Sequence, residues 1–181
     1  IIMATGSVAR GAGIADTKHN LGSSAAATQI RTQNTNEICV FCHTPHGADT
    51  SVEAPLWNRA INTGTYAVYA SPSFDAGTNN EAPQPDGVSL ACLSCHDGTI
   101  AFDALRNLPG SGGYNPSAPS AGWTFENALG GNVMPNDGRI TNLGYPLFGG
   151  NPDLKNDHPI SMVYANAFSP SATSGTNDHA T

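Results

Sequence analysis

Two short stretches of this chain carry residues able to do chemistry. In CVFCH, Cys39 and Cys42 stand three apart and His43 follows at once. In CLSCH, Cys92, Cys95 and His96 repeat the arrangement, and these four are all the cysteines present. Residues i and i+3 of a helical turn share one face, and i+4 lies above the first of them. Two thiols so placed can each bond one vinyl group on the same edge of a porphyrin, and the next imidazole then falls over the iron. The pattern therefore predicts two c-type haems per chain. Cys39, Cys42, Cys92 and Cys95 supply the thioethers, and His43 and His96 are the proximal iron ligands.

Three other chemistries use paired cysteines. A single zinc held by four thiolates needs C-x-x-C twice, but it does not need a histidine after each pair. With six histidines in 181 residues, a following His at both pairs is a coincidence of about one in a thousand against the haem-attachment spacing. Thioredoxin-like redox chemistry wants one C-x-x-C in a βαβ setting, and no such pattern surrounds either pair. Disulfides between residues three apart close tiny loops and add little stability.

An iron that only carries electrons takes two axial ligands. Beyond the proximal pair, His19, His46, His158 and His179 remain, more than two irons need. His46 is too near His43 to reach the far side of the same iron, so the expectation is that it serves the second motif's haem or that of a neighbouring chain. Its other reading is a surface turn histidine after Pro45. His19, in ADTKHNLG, or His158, in NDHPIS, would then complete the first haem, one of them from or to an adjacent subunit. Asp157 is the expected partner fixing the His158 tautomer. His179 lies in a polar tail and reads as solvated. Met3, Met134 and Met162 are weaker candidates for a distal ligand, and read as gap-fillers. The histidine surplus argues against an open catalytic iron, so the expectation is an electron carrier and not an enzyme.

Composition fits this reading. Only 12% of residues are charged and 39% hydrophobic, while glycine numbers 20 and proline 13. Such a chain builds a small protein-only core, and large apolar cofactors would fill the rest. The net charge of −7 excludes a phosphate-neutralising nucleic-acid surface. No run of apolar residues is long enough to span a membrane. Covalent haem attachment takes place outside the cytoplasm, so the expected location is extracellular or on the cell surface, with the periplasm as the alternative. The opening IIMATGSVARG lacks the layout of an intact signal peptide, which predicts a processed chain.

The expected fold is mostly coil with a few short helices and little sheet, wrapped around covalently bound haem. Residues 1–33 read as an N-terminal arm able to contact a neighbouring subunit, and 34–181 as the dihaem domain. Asn34 and Glu37 resemble a capping box, predicting a helix through CVFCH up to Pro45. EAPLWNRAI (Glu53–Ile61) predicts a short helix placing Trp57 against a porphyrin face. Thr63–Ser71 predicts a strand, with a loop over 72–87. Ser89 predicts the N-cap of a helix through CLSCH with Gly98 at its end. Thr99–Leu108 predicts a further helix, Pro109–Gly122 a loop, and the following text turns, with a strand-like touch in DHPISMVYANAF.

His19-Asn20, NEICVFCHTPHGA (Asn36–Ala48), APLWNRA (Ala54–Ala60), GVSLACLSCHDGTIAFDAL (Gly87–Leu105) and NDHPISM (Asn156–Met162) together resemble the multihaem c-type cytochromes of microbial cell surfaces. The resemblance is to members that polymerise into extracellular filaments. It implies stacked bis-histidine haems and long-range electron transfer to extracellular acceptors or redox partner proteins. It also implies copies of the chain as partners, with His19, His46 and His158 at the distal positions. The relatives carry four haems, with further C-x-x-C-H motifs after the DHPIS segment; here none follows. The expectation is either a two-haem version or a chain whose C-terminal part is missing. The alternatives are a soluble periplasmic dihaem shuttle and, further off, a haem peroxidase or oxyanion reductase.

Overall fold

The computed structural model describes residues 13–74, 79–110, 112–127, 138–140 and 153–162. Among them regular structure is sparse: one α-helix, one two-stranded sheet and two single 3-10 turns, at Ile14–Asp16 and Cys39–Phe41. The rest is coil held by isolated bridges and turns. No helix among the described residues is long and apolar enough to cross a membrane.

Helix α1, Gly87–His96, carries the second cysteine pair. It starts two residues before the expected Ser89 cap, after an extended Asp86 that makes no side-chain cap bond. Asp97 closes it by donating its N–H to the Leu93 carbonyl at 3.0 Å. Gly98 follows at φ +72°, a left-handed turn that suits glycine and ends the helix as expected.

The first pair has no such helix. Cys39–Phe41 make one 3-10 turn, extended only by the His43 N–H donating to the Cys39 carbonyl at 2.8 Å. The capping box does not form because Asn34 is used elsewhere. Its Oδ1 accepts from Thr32 Oγ1 at 2.8 Å and from the Thr124 N–H at 3.3 Å. The Glu37 N–H goes to Thr35 Oγ1 instead, at 3.1 Å.

Two further expected helices are absent because their backbone groups are committed to distant segments. Within 53–61, Leu56 adopts φ +54°, which interrupts a right-handed helix. Its carbonyl accepts from the Thr44 N–H at 2.8 Å, and the Asn58 N–H donates to the Cys42 carbonyl at 2.9 Å. Within 99–108, the carbonyls of Ala101 and Phe102 accept from Arg59 at 2.7 and 2.6 Å. The Thr99 N–H goes to the Asp97 carboxylate at 2.8 Å. The segment expected as a strand, 63–71, makes only the single bridges Ala67 to Asp153 and Ala70 to Glu81. The described part of DHPISMVYANAF, up to Met162, is coil, and its remainder lies outside the described residues.

Part of the expected N-terminal arm packs into the body. Leu21, Ala25 and Thr32 are buried, and strand β1, Ile30–Thr32, pairs antiparallel with β2, Phe125–Asn127, in the register Ile30 to Asn127. Arg31 Nε donates to Glu126 Oε2 at 2.6 Å across that pair. Three residues per strand leave no alternating pattern long enough to read from sequence.

The main apolar cluster joins Leu21, Val40, Phe41, Phe102, Leu105 and Ile140, with Cys42 and Cys95 packed at its edge. Asn58, fully buried, holds this region together. Its Nδ2 donates to the carbonyls of Val40 at 2.7 Å and Asn107 at 2.9 Å, and its Oδ1 accepts from the Asn107 N–H at 2.8 Å. Asn58→Ala removes all three bonds and strands buried backbone groups. It is expected to cost about 2–4 kcal/mol, read as a lower midpoint in chemical denaturation at unchanged slope; an unaltered midpoint would contradict this role.

Candidate haem-binding site

The first C-x-x-C-H turn presents Cys39 and His43 outwards while Val40, Phe41 and Thr44 are buried. His43 Nδ1 lies 2.6 Å from the Pro55 carbonyl. A carbonyl only accepts, so Nδ1 carries the proton and Nε2 of the neutral ring is left with its lone pair, the form a metal ligand needs. Trp57, expected against a porphyrin face, is buried and meets the His43 ring edge-on, with centroids 6.4 Å apart.

A cleft of about 710 Å³ lies over this turn, lined among others by Cys39, His43, His46, Leu108, Pro109 and Tyr114. His46 thus shares a cleft with the first motif. Its carbonyl is held by Thr44 Oγ1 at 3.0 Å and Asn107 Nδ2 at 2.7 Å. The same loop is tied down by Arg106, which donates to the Gly47 carbonyl at 3.1 Å and pairs with Asp49 at 2.8 Å. Gly47 sits at φ +64°, where an added Cβ would meet Tyr114 Cε2 at 2.6 Å. Only glycine allows both that turn and the ring's approach.

On α1, Cys92 is exposed, and Cys95 and His96 are half-buried. Cys92 opens on an apolar cleft of about 450 Å³ walled by residues including Val68, Tyr69, Leu93, Leu154 and His158. His158 Nδ1 lies 2.9 Å from the Pro159 carbonyl, so the expected role of Asp157 is taken by a backbone oxygen. The Nε2 of His158 is again the lone-pair nitrogen.

His19, one of the two candidates for completing the first haem, lies beside the second motif. Its ring centroid is 6.4 Å from that of His96, with the planes at 83°. An imidazole nitrogen sits about 2 Å from a first-row metal ion and about 1.15 Å from its own ring centre, so two rings on opposite sides of one iron would have centroids about 6.3 Å apart. The pair fits that spacing.

The two motifs are close in space. Cys42 and Cys95 back onto the same cluster. Burial pushes the Cys42 thiol up to about 11, nearby Cys95 adds to this, and the Arg59 cation opposes it. All four cysteines are free thiols, and among the described residues no group of three or more His, Cys, Asp or Glu side chains is placed to hold a bare metal ion. A haem asks less of the protein, because the porphyrin brings four of the iron's six ligands. The donor set therefore fits haem: two thiol pairs at vinyl-bridging spacing, each followed by an imidazole.

Sequence reasoning missed the residues bracing these turns. Asp97, next to His96, is fully buried and accepts from Tyr66 Oη at 2.7 Å, Asn62 Nδ2 at 3.2 Å and Thr99 Oγ1 at 2.7 Å. Burial, reinforced by Asp97, raises the Tyr66 phenol well above its ordinary value, so Tyr66 stays a donor. Arg59 is also fully buried and spans from its own segment to Ser94. A lone arginine inside the apolar stretch LWNRAI was the available signal. No protein-family model matches this sequence, and no curated protein is significantly similar to it.

The Asp49 carboxyl is held below its ordinary value; burial opposes this, but hydrogen bonds from Ser51 and the Arg106 charge outweigh it. A depressed folded value means the stabilisation is complete above the ordinary carboxylate pKa of about 4 and is lost as pH falls through the folded value. Asp49→Asn is expected to flatten the acid side of a stability–pH curve and leave its neutral side level. An acid limb as steep as the parent's would refute the assignment.

Proposed function

We propose that this chain is a dihaem c-type cytochrome, an electron carrier that acts outside the cytoplasm and assembles with copies of itself into an extracellular filament. The observation that carries the reading is the convergence of both C-x-x-C-H turns on one apolar cluster through Cys42 and Cys95. Electron transfer falls steeply with distance, so two redox groups seated on one wall form a relay.

Haem, when bound, supplies a one-electron iron couple; the protein supplies attachment, ligation and insulation. Cys39, Cys42, Cys92 and Cys95 would each be joined to haem by addition of the thiol S–H across a vinyl group, with no leaving group. His43, fixed by the Pro55 carbonyl, would hold the first iron, and His96 and His19, whose rings are neighbours, would hold the second. Two imidazoles on one iron would leave no place for substrate, which favours a carrier over an enzyme. His158 would remain for the far side of the first iron, its own or a neighbouring copy's, and His46, too near His43 for that place, for an iron beyond this chain.

Assembly is supported by the sequence resemblance, by this surplus of exposed histidines, and by a surface with few charges to repel a neighbour. The partners of such a filament are its own copies, redox proteins and extracellular acceptors, and its place is the cell exterior or surface. A soluble periplasmic shuttle is the alternative.

Two measurements test this reading. In the matured protein, His19→Ala should convert one of two low-spin haems to high-spin in electron paramagnetic resonance, leaving the other unchanged; two low-spin haems in the variant would contradict the His19–His96 pairing. Cryo-electron microscopy of the secreted protein should show filaments with a continuous line of haems. Dispersed monomers would contradict the assembly.

A further inference from the structure

Arg59 is a buried cation that forms neither of the ion pairs described below. It is fully buried, and a guanidinium stays protonated at any accessible pH. Its Nε donates to Ser94 Oγ at 3.2 Å, Nη1 to the Phe102 carbonyl at 2.6 Å, and Nη2 to the carbonyls of Ser94 at 3.1 Å and Ala101 at 2.7 Å. Every one of these acceptors is neutral. The ion pairs Arg31–Glu126 and Arg106–Asp49 do not involve Arg59. The buried carboxylates of the same region are held by others: Asp97 by Tyr66, Asn62 and Thr99, Asp103 by Ser120 and the Trp123 N–H.

Its position gives the charge a use. Ser94 lies between Cys92 and Cys95, so Arg59 touches the second motif from inside. The preceding residue, Asn58, bonds the carbonyls of Val40 and Cys42 in the first motif, so the Arg59 backbone is fixed against that turn as well. In a poorly screened interior a fixed positive charge disfavours the more positive, oxidised iron and favours the reduced one. We propose that Arg59 sets the reduction potentials of both haems, its buried charge holding them above the values they would have with a neutral residue there. The proposal rests on the cytochrome reading.

The test is a spectroelectrochemical titration of the full haem-loaded chain as wild type, Arg59→Lys and Arg59→Met. Both midpoints are expected to fall in Arg59→Met and to stay near wild type in Arg59→Lys, which keeps the charge without the forked donor geometry. Midpoints unchanged in Arg59→Met, or shifted equally in both variants, would overturn the proposal, the second by showing a packing effect. If Arg59→Met does not mature, Ser94→Asp places a carboxylate against Nε and neutralises the charge with the guanidinium in place. The same fall is expected, and an unchanged midpoint overturns the proposal. A wild-type chain with no haem wave overturns the cytochrome reading as well, which separates the two failures.

Discussion

Asn58 and Arg59 are neighbours in an extended segment, and each grips one of the two cysteine–histidine turns. Asn58 bonds the carbonyls of Val40 and Cys42; Arg59 bonds the side chain and carbonyl of Ser94. Nearly everything else in the described structure is arranged around this double grip. The segment after α1 cannot become a helix because its carbonyls feed Arg59. The 53–61 segment stays non-helical because its backbone must reach Cys42, Thr44 and Arg106. A chain with little apolar content has few ways to fix two distant turns against each other. Buried hydrogen bonds to backbone carbonyls do it here, at the cost of burying an amide and a charge that must stay satisfied.

The turns themselves differ in how they are built. One rides on the last turn of an α-helix; the other is a single 3-10 turn propped by the His43–Pro55 and Trp57 contacts. The chemistry needs only the local i, i+3, i+4 placement of two thiols and an imidazole, so either support serves. Two thioether-linked cofactors would also act as cross-links, restraining loops whose own packing is modest.

Much of this was legible in the sequence, and the reason is range. Cys39, Cys42 and His43 are close in the chain, so their relation is set by one turn of backbone; the same holds for Cys92, Cys95 and His96. The scarcity of regular structure followed from the glycine and proline content. What was not legible depended on contacts between remote segments. Nothing near His19 says that it lies beside His96, and nothing in Ile30–Thr32 announces a partner at Phe125–Asn127. The helices expected over 53–61 and 99–108 had adequate local propensity, and lost to hydrogen bonds made across the fold. Asp157 looked like the tautomer-setting partner of His158 because it is adjacent; the Pro159 carbonyl, equally adjacent but invisible as a side chain, takes that place.

Everything proposed for this chain depends on each cysteine pair holding a covalent haem. Intact-mass spectrometry of the mature protein, under denaturing conditions and after treatment with a thiol alkylating agent, tests it most directly. The expected mass is heavier than the polypeptide by two haems, with none of the four cysteines alkylated. A mass equal to the polypeptide carrying four alkyl groups would contradict it.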